Sequence, residues 1–366
     1  MLASGFETIK FEVVKPGMFT TVQDLGRFGR QMQGVPVAGA MDSAALRLGN
    51  IMLGNNENAA GLEITMVGPT LKVISGEACF TVTGAEVGVS KNGASLQCWM
   101  AHRLAPGDVL SFTPPKSGGA RAYLCVSGGF DVPLSMGSRS TYTRGGFGGH
   151  EGRALKTSDV LKTLTPDPIW AESEGLSCPP ALRPSRDPEA PLRVIPGPQD
   201  DAFTDEGVET FYSSEYAISN SADRMGYRME GPIIAHKGAP DIISDGICLG
   251  SIQVPGHGQP IVMLADRQTT GGYTKIGVVC TVDLGNLAQR LPGQKVSFVR
   301  SSVPEAVGLL KQEAALFDNL RQLRAQWRSR PSETRQQQKC ETNATSGSLS
   351  VTVNGKPHRV EWEISN

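Results

Sequence analysis

Between residues 6 and 165 the chain alternates short apolar, β-branched stretches with Gly, Pro or Asn-Gly. These stretches are Ile9 to Val14, Leu71 to Ile74, Cys79 to Thr83, Val87 to Ser90, Val109 to Thr113 and Ala122 to Val126. Turn signals at this density predict an all-β barrel or sandwich. One helical pattern interrupts it: Asp42 or Ser43 as N-cap, Ala45, Leu48, Met52 and Leu53 on one face, and Gly54 as a left-handed stop. Prolines at 166, 168, 179, 180, 184, 188, 191, 196 and 198 then mark a connector without regular structure. The β pattern resumes in Phe211 to Ile218, Ile252 to Val254, Ile261 to Ala265, Val278 to Val282 and Val296 to Val299. From Pro304 to Arg330 apolar Leu309, Leu316, Leu320, Leu323 and Trp327 recur at helical spacing, as expected of a helix packed on its own β unit. The pattern therefore divides the chain into a first β-barrel subdomain (1–165), a Pro-rich connector (166–192), a second β-barrel subdomain (193–303), an amphipathic helix (304–330), a polar linker (331–348) and a C-terminal hairpin around Asn354-Gly355 (349–366).

The two β regions resemble each other. Ala101-His-Arg-Leu-Ala-Pro-Gly-Asp-Val-Leu-Ser-Phe112 aligns, with one deletion, on Ala288-Gln-Arg-Leu-Pro-Gly-Gln-Lys-Val-Ser-Phe298, and Asp24-Leu-Gly-Arg27 shares a skeleton with Asp223-Arg-Met-Gly226. A repeat this long implies a duplicated unit packed as a pseudo-dimer, with the cleft between the copies as the expected ligand site.

Composition narrows the function classes. The 35 Lys and Arg balance 36 Asp and Glu without a basic cluster, which argues against nucleic acid or anionic membrane as a partner. Seven cysteines, none in a CxxC and most within apolar runs, read as buried small hydrophobes of a reducing compartment. No run reaches the length of a membrane span and no secretory leader is recognisable, so the expected location is cytoplasmic. A P-loop, a nucleophile-elbow Ser and metal-ligand His spacings do not occur, so the expected metal complement is none.

Four polar, turn-rich segments remain as candidate chemistry. Asp266-Arg-Gln-Thr-Thr-Gly-Gly-Tyr273 follows the apolar strand Ile261 to Ala265, which would carry a carboxylate, a guanidinium, an amide and hydroxyls into a Gly-hinged loop. Ser221-Ala-Asp-Arg-Met-Gly226 is similarly dense in polar groups. Gly137-Ser-Arg-Ser-Thr-Tyr-Thr-Arg-Gly-Gly-Phe-Gly-Gly149 reads as either a mobile anion-binding lid carrying Arg139 or a mechanical glycine turn. Thr20 to Arg30 has glycine spacing unlike a dinucleotide fingerprint.

In these segments the chain resembles the biotin-dependent carboxyltransferase, or allophanate hydrolase subunit 2, family. The resemblance rests on Thr21-Val-Gln-Asp-Leu-Gly-Arg27, Gly39-Ala-Met-Asp42, Leu62-Glu-Ile-Thr65, Gly137-Ser-Arg-Ser-Thr-Tyr142, Gly197-Pro-Gln199, Ser221-Ala-Asp-Arg-Met-Gly226 and Ile252-Gln-Val-Pro255 through Tyr273, in family order over residues 6 to 305. It implies two cyclophilin-like β-barrel subdomains. It also implies an enzyme component, inactive alone, of one of two kinds: the C subunit of an ATP-dependent 5-oxoprolinase, or the carboxyltransferase component that moves a carboxyl group from carboxybiotin to urea or a related amide. A regulatory protein that antagonises a kinase inhibitor is a further family member. The implied partners are a cyclophilin-like B-type subunit and a LamB/YcsF-like A-type subunit. ATP would be used by the assembled complex, and biotin would not be attached to this chain, which lacks a Met-Lys-Met motif. Under this reading Arg224 and Arg267, with Arg139, would hold a carboxylate or the carboxyl group in transfer. Gln253 and Gln268 would orient an amide, Asp266 or Asp223 would accept its proton, and Thr270 and Tyr273 would complete the wall.

Overall fold

In the computed structural model residues 8–115 and 118–330 are described, together with the backbone of residues 346–353 and 356–363. The first half contributes β1 (Lys10–Lys15), β2 (Phe19–Gln23), β3 (Gly61–Thr65), β4 (Thr70–Ser75), β5 (Ala78–Gly84), β6 (Val87–Lys91), β7 (Ala94–Leu96), β8 (His102–Leu104), β9 (Val109–Pro115), β10 (Arg121–Val126) and β11 (Val160–Lys162). They form a six-stranded sheet of order β11-β1-β4-β9-β6-β7 and a five-stranded sheet of order β2-β3-β10-β5-β8. The two sheets close over one core that includes Phe11, Leu62, Phe80, Leu110, Leu124 and Phe130. Strand β4 alternates buried and exposed positions because its outer face meets solvent, whereas β10 is buried throughout. The reason is helix α1 (Ser43–Leu53), which covers the far side of the five-stranded sheet. Asp42 caps α1 by accepting from the Ala45 amide, and Gly54 ends it at φ 73°, a left-handed geometry that glycine adopts without strain.

The second half comprises β12 (Leu192–Pro196), β13 (Glu215–Ile218), β14 (Gly226–Glu230), β15 (Asp241–Gly246), β16 (Ser251–Gln253), β17 (Ile261–Met263), β18 (Thr270–Tyr273), β19 (Lys275–Val279) and β20 (Lys295–Arg300). Seven of these close into a barrel, β12-β19-β16-β17-β14-β13-β20, around a core that includes Val194, Phe211, Tyr216, Ile252 and Phe298. Strands β15 and β18 pair only with each other, forming a strap outside the barrel. Phe211 lies in helix α2 (Asp205–Ser213), where the sequence pattern predicts strand. Thr204 accepts from Gly207 N, and this cap, with Asp205 and Glu206 in the first turn, sets the helix start.

The duplicated turns coincide in geometry. Asp108 N donates to Ala105 O and Gln294 N to Leu291 O, each at 3.1 Å, before β9 and β20. What precedes them differs: strand β8 in one half and helix α3 (Thr281–Ala288) in the other. The Asp24 and Asp223 segments also share a turn, each Oδ1 accepting the amide two residues on at 2.8 Å.

The connector carries two short 3-10 turns, Trp170–Ser173 and Pro180–Leu182, and buries Trp170, Leu176 and Cys178. Helix α4 (Val303–Ser329) does not stay on its own β unit. Its buried stripe, Phe317, Leu320 and Trp327, crosses back to α1 and the connector, completing a third core. Strands β21 (Ser346–Val353) and β22 (Lys356–Glu363) pair antiparallel, with Val353 opposite Lys356; Asn354-Gly355 and residues 331–345 lie outside the described residues.

Candidate functional site

The two halves meet on polar groups. Glu63 on β3, 1% exposed, accepts from Met41 N and Tyr123 Oη, both at 2.8 Å, and from Arg224 Nη1 of the second half. Arg224 also grips Asp266 in a two-pronged pair, Nε to Oδ2 at 3.0 Å and Nη2 to Oδ1 at 2.9 Å, and donates to Gly39 O at 2.6 Å. Nearby, Arg121 donates to Tyr227 Oη at 2.6 Å, and Gln289 bridges Asp42 to the Arg121 backbone. Asp42 receives Arg186 through two nitrogens at 2.9 and 2.6 Å. The charges within this buried layer balance, Glu63, Asp266 and Asp42 against Arg224, Arg121 and Arg186. Burial opposes the charge on Arg224, but Asp266 and Glu63 outweigh it and raise its basicity. Asp42 is likewise held below the usual carboxylate range, since Arg186 and Gln289 overcome the cost of burial.

This geometry corrects the expected direct roles of Arg224 and Asp266. Each is the other's partner, and the guanidinium edge that a substrate carboxylate would need is occupied by Glu63 and Asp266. Asp223 is also engaged. Its Oδ1 caps the turn at Met225 and Gly226, and its Oδ2 accepts Arg144 from the first half's glycine loop at 2.8 Å. That loop is pinned in place. Asp24 accepts from the hydroxyls of Ser138 and Ser140 and from Arg139 N, and Arg27 stacks on Phe147 while donating to Ser140 O. The Arg139 guanidinium points toward Asp131 and lines a separate surface depression with Asn56 and Asp167, away from Arg267. Arg139 therefore does not join Arg267 in holding one ligand.

Arg267 differs from these. It is 8% exposed, donates only to backbone carbonyls, Ile247 O at 3.2 Å and Leu264 O at 3.3 Å, and has no carboxylate partner among the described residues. Burial without a compensating acid lowers its basicity. It lines a cavity of about 340 Å³ between the halves, whose apolar walls include Leu25, Val37, Leu249 and Leu264. The first residues of α1 and α3 also face this cavity, adding the positive ends of two helices to the guanidinium. Glu313 of α4 lies on the opposite wall, and burial pushes its carboxyl up despite Arg186 nearby. The sequence pattern gives no sign of Glu313, because on a polar helix face it is indistinguishable from a solvated residue. The cavity thus combines apolar walls, one uncommitted cation and one proton-holding carboxyl, a setting for a small acid.

Gln253 and Gln268 gather elsewhere, beneath and beside the strap. Their amide nitrogens lie 2.8 and 3.6 Å from the point where a Cβ on Gly271 would stand. Thr270 and Tyr273 are exposed on β18 and do not reach Arg267 through any contact. Among the described residues no cluster of His, Cys, Asp and Glu could hold a metal ion, and no helix is long and apolar enough to cross a membrane.

The family model described as carboxyltransferase domain, subdomain A and B, matches residues 33–300. The chain is 38% identical over 303 residues to the C subunit of 5-oxoprolinase from Haemophilus influenzae, covering 83% of this chain and 95% of that protein. It is 37% identical over 313 residues to the Escherichia coli protein of the same name, covering 84% and 97%. The structure of K. lactis urea amidolyase superposes with a TM-score of 0.79 at 32% identity, over 87% of this chain and 20% of that one. With a mostly β fold, a closed barrel and the family pattern spanning both halves, this chain belongs to the carboxyltransferase family built of subdomains A and B.

Proposed function

We propose that the chain is the C subunit of an ATP-dependent 5-oxoprolinase, which opens the lactam of 5-oxo-L-proline to L-glutamate. The observation that carries this reading is Arg267, a buried guanidinium without an acid partner on the wall of the inter-half cavity. A lactam acid presents one carboxylate to such a cation and a compact ring to apolar walls. The lactam C–N bond breaks, water supplies oxygen to the carbonyl carbon and a proton to nitrogen, and ATP hydrolysis drives the opening. Arg267 holds the carboxylate, and Glu313, whose carboxyl is pushed up by burial, exchanges the proton. The near-complete coverage of two stand-alone relatives supports this assignment over a domain of a larger carboxylase. The partners would be a cyclophilin-like B-type subunit and a LamB/YcsF-like A-type subunit, in the cytoplasm, with ATP bound by the assembly.

A second reading, carboxyl transfer from carboxybiotin on another chain to a urea-like amide, is supported by the likeness to urea amidolyase. The test is 5-oxoproline-dependent release of glutamate and ADP by the chain mixed with both partners, with and without avidin. We expect turnover that avidin does not block, and a fall in kcat/KM of at least about a hundredfold in Arg267→Ala, the loss expected on removing one charged substrate contact. Undiminished turnover in Arg267→Ala would overturn the site. Avidin-sensitive carboxylation of urea would favour the second reading, and a stable complex without any turnover would favour a regulatory protein.

A further inference from the structure

Outside the cavity, the structure holds a second group of buried donors. Lys275 on β19 and Gln253 on β16 are register partners on the outer face of the barrel, and each is 2% exposed. The Lys275 ammonium has a single carboxylate partner among the described residues, Asp245 Oδ2 at 2.8 Å. Asp245 lies on the strap, with its side chain 53% exposed. Gln199 accepts the Lys275 amide at 3.2 Å and supports the same Asp245 carboxylate through its own side chain. The Gln253 Nε2 is buried and finds no acceptor. A Cβ at Gly271 would fall 2.8 Å from that nitrogen and 2.6 Å from the Ile247 side chain, so glycine leaves the space above the amide open.

A lysine fixed for structure alone is expected to pair with an acid buried beside it. Here the acid reaches in from solvent on a strap that pairs with no barrel strand. The groups that converge are donors: an ammonium with two N–H to spare, the orphaned amide of Gln253 and the amide of Gln199. Donors without acceptors ask for an oxygen-rich anion, and the Asp245 carboxylate already occupying part of the seat gives the shape that it accepts. We propose that Lys275, Gln253 and Gln199 form a binding seat for the carboxylate of a small organic acid, in which Asp245 is a resident stand-in that the ligand displaces. This site is separate from the Arg267 cavity and does not depend on the reading given to it.

The test uses the full chain labelled with [13C]lysine, with the Lys275 side-chain signal assigned by its loss in Lys275→Arg. Sodium propionate, and sodium phosphate as the comparison anion, are titrated at constant ionic strength. A saturable shift of that signal by propionate is expected. Asp245→Asn should tighten the apparent Kd at least fivefold by removing the stand-in, Gln253→Leu should weaken it at least tenfold, and Arg267→Gln should leave it unchanged. Should Gln253→Leu fail to fold, Gln253→Glu replaces it, since a carboxylate there would close the seat from within and abolish the shift. The proposal is overturned if propionate gives no saturable shift in wild type and Asp245→Asn, or if phosphate alone binds. Weaker binding in Asp245→Asn, or binding that is lost in Arg267→Gln, also overturns it.

Discussion

Arg224 and Arg267 flank the same interface and are similarly buried, yet their surroundings give them opposite work. Arg224 satisfies two carboxylates and a carbonyl, so its removal would leave Glu63 and Asp266 charged and unpaired in the interior. Breaking a buried pair from one side in this way costs about 3–5 kcal/mol. We therefore expect Arg224→Met to lower unfolding stability by about that amount in denaturant melts. Arg224→Lys should not rescue it, because an ammonium cannot reproduce the two-pronged geometry. A melt unchanged in Arg224→Met would show that the pair is not what joins the halves. Arg267 has no carboxylate to strand, which is why its substitution is an activity test.

At the scale of elements, the glycine loop 137–149 shows how a flexible composition can be held rigid. Its glycines permit the turns, with Gly137 at φ 87° and Gly148 at φ 72°, while Asp24 supplies the order. One carboxylate gathers Ser138, Ser140 and the Arg139 amide, so the loop is fastened to β2's end and cannot act as a free lid. Asp24→Asn would turn one acceptor oxygen into a donor facing other donors, at a cost of about 2 kcal/mol. Amide exchange across residues 137–149 should quicken in that variant, and protection equal to wild type would show that the carboxylate does not hold the loop. Helix α4 gives a parallel case, since its apolar stripe is legible but the surface it covers belongs to the other half.

For the whole molecule, the halves adhere through a charged, hydrogen-bonded layer, and such layers respond to acid. The first half carries a second sensitive group on its periphery. Arg153, through paired hydrogen bonds, holds the Asp159 carboxyl down to about 2. Asp42, between the halves, is depressed too. A carboxyl lowered in the folded state contributes stability above its ordinary value near 4 and loses that contribution as pH falls through the folded value. Stability should therefore decline between about pH 4 and 2. Asp159→Asn should be less stable than wild type at pH 7, with the gap closing over that window. A gap that stays constant down to pH 2 would remove Asp159 from the account of acid unfolding.

Local patterning determined much of this protein. The β-rich halves, the limits of α1 at Asp42 and Gly54, the repeated Pro-Gly turns and the polar loops follow from residues near one another in the chain, where period, capping and left-handed glycine act directly. Asp266, Arg267, Arg224 and Gln253 were visible as chemistry, but not what each would face. Only the tertiary structure decided that Glu63, 161 residues before Arg224, would saturate it, and that Arg267 would be left without an acid. The same packing set α4 across the other half and placed Lys275 and Glu313 where their charges matter. The physical reason is that a charge is committed by its spatial neighbours: ion pairing and desolvation act over a few ångströms of space, to which separation along the sequence gives no guide.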